Sequence, residues 1–492
     1  MEFYSTRSEK HTAGAARAVL TGLAPDGGLY TPLDFGSMRV DMDRVLTLDA
    51  PELFAEIVYK ILPDFGEEEI KRLVPEAYAG KFQTRDITPL VKVGDRFVLE
   101  LFRGPTSAFK DVALSVLPRL VSLARKQLGI SEETAILTAT SGDTGKAALE
   151  GFRDVPGTRI IVFYPEGGVS DIQKAQMATQ KGGNVRVCAV KGNFDDAQTG
   201  VKLIYADDEA EHWAKREGLR LSSANSINIG RLAPQAAYYF KAYRDMVRMG
   251  EIKNGETVNF AVPTGNFGNI LAGEFARRMG LPVGKLICAS NANNVLTEFI
   301  QTGVYDRRRP FFRTVSPSMD ILVSSNLERY LLLAGGSFEL VDELMRELRD
   351  KGIYRAPEHI TEEMQKHFDA GWADDLTVKQ TIGEVWREHK YLLDPHTAVA
   401  WKVTGDIKAQ TGDNTKTVVL STASPYKFGF DVLDAISAQR PATGFEAMDV
   451  LSDLTGVPIP ANLAELKELQ PRFTDCVDKT QMLAYVKEVL KG

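Results

Sequence analysis

The stretch Gly104-Pro105-Thr106-Ser107-Ala108-Phe109-Lys110-Asp111-Val112-Ala113 joins a strand-like run, Arg96-Phe97-Val98-Leu99-Glu100-Leu101, to an apolar-periodic segment. Val112, Val116, Leu117, Leu120, Leu123 and Ala124 recur at helical spacing and predict a helix with one buried face. The Gly-Pro pair supplies the turn, and Thr106 or Ser107 is expected to cap the helix. Lys110 therefore falls at the joint between a strand and a buried helix, beside an aromatic ring. A lysine held there has a desolvated amine and can bond a carbonyl cofactor. The same position also suits a helix-start lysine that points at water, and this segment alone leaves both readings open.

The 492 residues are enough for two or three domains and a large core. A net charge of -7, with Arg307-Arg308-Arg309 as the densest basic run, argues against a nucleic-acid partner. No apolar run approaches the length of a membrane span, and the opening MEFYSTRSEK lacks the apolar core of a secretory signal. Cys188, Cys288 and Cys476 are far apart, and the six histidines form no compact ligand set. A cytoplasmic enzyme without a metal is the expectation, with monomer or homodimer left open.

Beyond residue 96 the chain alternates short β-rich runs with helical ones. Strands are expected at 135–140, 159–164, 185–190, 258–262 and 418–420. Helices are expected from Thr144, Asp171, near Ala197 and from Asn269. Such alternation implies parallel sheets covered by helices on both faces. The expected division is an N-terminal helical subdomain over 1–95, a two-lobed domain over 96–440 and a C-terminal helical tail over 441–492. Within the large domain, the smaller lobe covers about 110–250, and a charged helical excursion covers about 300–395.

Ligands of parallel sheets collect at the carboxyl ends of the strands, so the loops there matter most. Thr140-Ser141-Gly142-Asp143-Thr144-Gly145 opens a helix with small residues that let amides approach an anion. It is not a nucleotide P-loop, because Thr140 stands where the first glycine belongs and Ala147 follows Lys146. An ordinary capped turn is the alternative. Pro263-Thr264-Gly265-Asn266-Phe267-Gly268-Asn269 suits an anion nest, or a tight turn that needs no ligand. Ser421-Thr422-Ala423-Ser424-Pro425-Tyr426-Lys427-Phe428 offers hydroxyls at a strand end, or simply starts a turn. Arg231, closing Asn225-Ser226-Ile227-Asn228-Ile229-Gly230-Arg231, can clamp a phosphate or carboxylate. Asp394-Pro395-His396 reads as a helix start with a structural histidine. Together, a junction lysine, two anion-cradling loops and a late hydroxyl suit pyridoxal phosphate with a phosphate-bearing substrate beside it.

Over nearly its whole length the chain resembles the longer form of threonine synthase found in fungi and many bacteria. The resemblance rests on Tyr4-Ser5-Thr6-Arg7, Ala24 to Tyr30, Gly104 to Asp111, Thr138 to Gly145, Ser223 to Asn228 and Gly265 to Asn269. It implies fold type II of the pyridoxal phosphate enzymes, the tryptophan synthase beta-like α/β fold. It implies conversion of O-phospho-L-homoserine and water to L-threonine and phosphate, by γ-elimination and β-addition of water. Lys110 would then hold the cofactor's aldehyde, and Gly265, Asn266, Phe267, Gly268 and Asn269 its phosphate. Thr422 would face the ring nitrogen, with Asp143 near the ring. Ser141, Thr144 and Arg231 would bind the substrate. One departure is Ser424, where some relatives carry histidine. Another fold type II lyase, a threonine-synthase-like phospholyase or a serine/threonine dehydratase, would share Lys110 and the glycine-rich loop. The long N-terminal segment and Ser141-Gly142-Asp143-Thr144-Gly145 favour the synthase.

Overall fold

The computed structural model describes residues 1–140, 142–167, 169–205 and 207–491. Two parallel sheets organise it. The larger has six strands, in the order Phe368–Trp372, Val283–Ser290, Val258–Pro263, Thr417–Ser421, Arg96–Glu100 and Leu90–Val93. Only the last of these runs antiparallel to its neighbour. The smaller has five parallel strands, in the order Cys476–Asp478, Val185–Lys191, Thr158–Pro165, Glu133–Ala139 and Leu219–Ser222. Strands such as Val258–Pro263 are buried at every residue, which is why they read as short apolar runs rather than as alternating patterns. The expected strands and following helices are present within a residue or two of their sequence positions.

The first 80 residues carry the expected helices, among them Ala50–Ile61 and Glu67–Tyr78. They also contain a three-stranded antiparallel sheet of Glu2–Ser5, Ser8–Gly14 and Tyr30–Pro32. The turn-rich segments around Tyr4 and Tyr30 thus pair with each other. In the helical stretch after residue 300, Phe368–Trp372 returns to the larger sheet as an edge strand. The C-terminal segment gives Cys476–Asp478 to the edge of the smaller sheet. Its last helix, Met482–Leu490, buries Met482, Val486 and Leu490 against Leu137, Ile161 and Cys188. Among the described residues, no helix is long and apolar enough to cross a membrane.

The helix that begins at Lys110 runs to Gln127 and differs from a one-faced surface helix. Lys110 through Pro118 are all buried. The helix is packed against Ala15–Thr21, Glu67–Tyr78, Asp143–Phe152 and Ile229–Arg248, so most of its circumference meets protein. Lys110 in its first turn is only 8% exposed, which removes the solvated alternative. A close backbone approach occurs at Gly151, where an added Cβ would lie 2.0 Å from the carbonyl oxygen of Leu114. Gly151→Ala is therefore expected to force apart the helices that begin at Lys110 and Asp143. The cost should be on the order of 1–3 kcal/mol, read as a lowered midpoint in a circular-dichroism melt.

Candidate functional site

The site lies at the carboxyl ends of both sheets. Residues 101–109 follow the strand Arg96–Glu100, 264–267 follow Val258–Pro263, and 422 follows Thr417–Ser421. From the smaller sheet, Thr140–Gly142 follow Glu133–Ala139, and 223–228 follow Leu219–Ser222. Two of these loops are stitched together by backbone. Leu101 N–H donates to Ser421 O at 2.9 Å, Phe109 N–H to Thr422 O at 2.8 Å, and Ser424 N–H to Ser107 O at 3.1 Å. Lys110 and Thr422, 312 positions apart in sequence, are thereby held next to each other's backbone.

Neither Thr106 nor Ser107 caps the helix. Phe109 occupies the N-cap position without a side-chain cap. The polarity is reversed, because Asp111 in the first turn accepts from Thr106 N–H at 2.8 Å and from Thr106 Oγ1 at 2.6 Å. Ser107 instead adopts a left-handed φ of 58°. Asn462 Nδ2 bonds Ser107 Oγ at 2.9 Å and Pro105 O at 3.0 Å, so the C-terminal segment braces the turn.

Lys110 is buried, with its Nζ 4.6 Å from the centroid of the Phe109 ring. Burial pulls its amine down to about 8; the Asp143 carboxylate opposes this, and Arg231 and Lys427 reinforce it. Asp143 is buried too. Burial pushes its carboxyl up, but Lys427 and then Lys110 reverse that and hold it well below the usual carboxylate range. Its Oδ1 accepts from Gln173 Nε2 at 2.9 Å. Gly142, before it, has φ 140°, a conformation suited to glycine. Thr144 is partly exposed in the first turn of the helix. Ser141 lies outside the described residues.

The loop 265–269 is anchored through two of its carbonyls. Ser324 Oγ donates to Gly265 O at 2.5 Å, while Asn326 N–H and Nδ2 each donate to Asn266 O at 3.2 Å. A trans peptide points its N–H opposite its C=O. Drawing these two carbonyls toward 324–326 therefore turns the amides of Asn266 and Phe267 to the other side. Phe267 takes a left-handed φ of 62°, the strained conformation of a nest, and begins the helix Gly268–Arg278. Its ring, 5.8 Å from Phe368 and 6.1 Å from Tyr330, locks that conformation. Asn269 Oδ1 accepts from Tyr238 Oη and, at 3.1 Å, from Tyr239 Oη. Its buried Nδ2 has no partner among the described residues.

Arg231 begins from the same helix that carries Tyr238 and Tyr239, Ile229–Arg248. It is buried, which pulls its guanidinium down to about 10, and donates from Nη1 to Ala224 O at 3.0 Å. Its Nε is buried and, like Asn269 Nδ2, has no partner among the described residues. A buried donor without a bond is costly. A desolvated amine, a left-handed loop at a helix start and a buried guanidinium are groups that fit a phosphorylated aldehyde. Thr422 is buried, and its hydroxyl makes no hydrogen bond among the described residues. His396 has a structural place: Nδ1 meets Asp394 Oδ1 at 2.8 Å, and Nε2 accepts from Ser318 N–H at 3.2 Å.

Some supporting residues were not assigned from sequence. Lys427 was visible as a lysine between two aromatics, but its partner Asp143 is 284 positions away. Ser324 and Asn326 are ordinary polar residues until the fold brings them behind Gly265 and Asn266. Arg329 donates to Tyr30 O, Ile227 O and Asn326 Oδ1, tying the N-terminal sheet to the 223–228 loop and to the residue behind Asn266.

Three family models match the chain. They are described as threonine synthase N terminus over residues 2–78, pyridoxal-phosphate dependent enzyme over 85–423, and threonine synthase, C-terminal, over 397–489. Threonine synthase of Pseudomonas aeruginosa is 37% identical over 96% of this chain and 95% of its own length. The chain belongs to the threonine synthase family. Human threonine synthase-like 1 is 39% identical over 86% of this chain, which spans 58% of that protein. Among solved structures, PLP-bound threonine synthase from Brucella melitensis aligns with a TM-score of 0.87 and 35% identity. That alignment covers 100% of this chain and 99% of the other. Pyridoxal 5'-phosphate is the cofactor of this threonine synthase family member. Asn326→Ala frees the carbonyl of Asn266 and loosens the nest. It is expected to raise the dissociation constant for pyridoxal phosphate about tenfold, measured by spectroscopic titration of the apo-protein.

Proposed function

We propose that this chain is an enzyme that converts O-phospho-L-homoserine and water to L-threonine and phosphate. The observation that carries the reading is one buried amine, Lys110, in a chain that also holds two buried donors, Arg231 Nε and Asn269 Nδ2, without partners among the described residues; we read these as two anion sites. The reaction needs that number: one phosphate belongs to the cofactor and the other to the substrate.

The Gly265–Asn269 amides hold the cofactor phosphate, and Lys110 bonds the aldehyde. Thr422 faces the ring nitrogen with a neutral hydroxyl, and Asp143 flanks the ring. Arg231, Thr144 and Ser141 bind the substrate, with Arg231 toward its phosphate. When bound, the cofactor supplies an electron sink for charge left on the substrate carbons. With the cofactor and substrate bound, Lys110 would take and return protons at the substrate's Cα and Cβ. A base must be neutral to do so, and burial lowers the Lys110 amine toward the working range. Thr422 does not enforce a charged ring as a carboxylate would, which suits a sequence of elimination and then hydration. With this reading go a subdomain over 1–95, a two-lobed catalytic domain over 96–440, a tail over 441–492 and a cytoplasmic setting.

Supplying O-phospho-L-homoserine to the holoenzyme should release threonine and phosphate in equal amounts. Phosphate accompanied by 2-oxobutyrate would instead indicate a phospholyase. Lys110→Ala should keep its far-ultraviolet circular dichroism and lose threonine formation by roughly 10³-fold or more. The pH dependence has a definite sign. With an amine that titrates at about 8, the neutral form that bonds the aldehyde falls as pH drops below that value. Uptake of pyridoxal phosphate by the apo-protein should slow about tenfold per pH unit there, followed as growth of visible absorbance.

A further inference from the structure

Lys427 is a buried charge that the proposed reaction does not use. It sits in the helical turn Pro425–Phe428, just past the end of the larger sheet, and its side chain is fully enclosed. Its Nζ lies 2.5 Å from Asp143 Oδ1 and donates to Thr106 O at 3.2 Å. Asp143 opens a helix of the smaller sheet, so the ion pair spans the two lobes. Gln173 Nε2 reaches the same carboxylate oxygen at 2.9 Å, and Gln176 Nε2 reaches Thr106 O at 3.2 Å. Each acceptor thus has one charged and one neutral donor.

The charged groups that face Lys110 are Asp143, Arg231, Lys427 and Asp111. Among the described residues Lys110 itself forms no ion pair. This matters because a buried carboxylate must be matched by a cation. Without Lys427, the remaining ammonium that influences Asp143 is Lys110. A lysine held as an ammonium by a carboxylate has no lone pair with which to bond an aldehyde or accept a proton.

We propose that Lys427 is a positioning residue for Lys110: by pairing with Asp143 across the lobes, it keeps that carboxylate from holding Lys110 as an ammonium. The lowered titration of Lys110 agrees in direction, since burial outweighs the pull of an Asp143 already paired. The inference rests on the reading of Lys110 as the lysine that bonds the cofactor.

The test is the pH midpoint for uptake of pyridoxal phosphate by the apo-protein, followed as growth of visible absorbance, together with the dissociation constant for pyridoxal phosphate at pH 7. In Lys427→Met, Asp143 is left to Lys110, so the midpoint should rise by about one pH unit or more. The dissociation constant should rise about tenfold with it. Asp143→Asn leaves Lys110 facing Lys427 and Arg231 without their carboxylate, so the midpoint should fall. The double variant K427M/D143N removes the pair as a neutral unit and should return the midpoint close to wild type. A loss of packing would not produce opposite shifts that cancel. The proposal is overturned if Lys427→Met titrates as wild type, or if the double variant is displaced as far as Lys427→Met. Should Lys427→Met fail to fold, an unshifted or raised midpoint in Asp143→Asn overturns it equally. A wild-type protein that binds pyridoxal phosphate without a visible band would sink the underlying reading of Lys110 instead.

Discussion

The backbone stitch between residues 101–109 and 421–424 is the constraint on which the site depends. Three hydrogen bonds, Leu101 to Ser421, Phe109 to Thr422 and Ser424 to Ser107, fix the start of the Lys110 helix to the end of a central strand. A helix start placed by its own turn alone would be free to swing. Placed by a neighbouring strand, it inherits the rigidity of the sheet. Near that fixed amine lie Thr422 on the same strand end, Lys427 five residues on, and Asp143 facing Lys427 from the other lobe.

Strain collects where this arrangement meets ligand. Among the described residues, five that are not glycine have positive φ, and two of them, Ser107 and Phe267, sit in the loops that the proposal assigns to the cofactor. Each is held by a different device. Ser107 is braced by Asn462 from the C-terminal segment, and Phe267 by aromatic contacts with Phe368 and Tyr330. Residues far from the chemistry thus bear the cost of aiming a turn and a nest of amides. The same logic gives the N-terminal sheet its place, since Arg329 links Tyr30 to the loops that end in Asn266 and Arg231.

The strands of both lobes were legible because buried parallel strands are written as short apolar runs between glycine-rich loops. Phe368-Asp369-Ala370-Gly371-Trp372 was not legible. It is short, mixed in polarity and lies at a sheet edge, where pairing rather than composition makes the strand. Capping by Thr106 or Ser107 was a fair local inference that lost to a tertiary one: Asp111 captures Thr106, and Asn462 captures Ser107. Lys110, Asp143, Arg231, Thr422 and the 265–269 loop were visible as chemistry in the sequence. Their brace was not, because Lys427, Ser324, Asn326 and Arg329 acquire meaning only from partners tens to hundreds of residues away.

Two buried lysines, Lys110 and Lys427, lie near Asp143, and only one of them is assigned the covalent role. Borohydride reduction of the holoenzyme, followed by digestion and mass spectrometry of the peptides, distinguishes them directly. The account predicts one pyridoxyl-phosphate mass increment, carried by Lys110. An increment on Lys427, or on any other lysine, would contradict it.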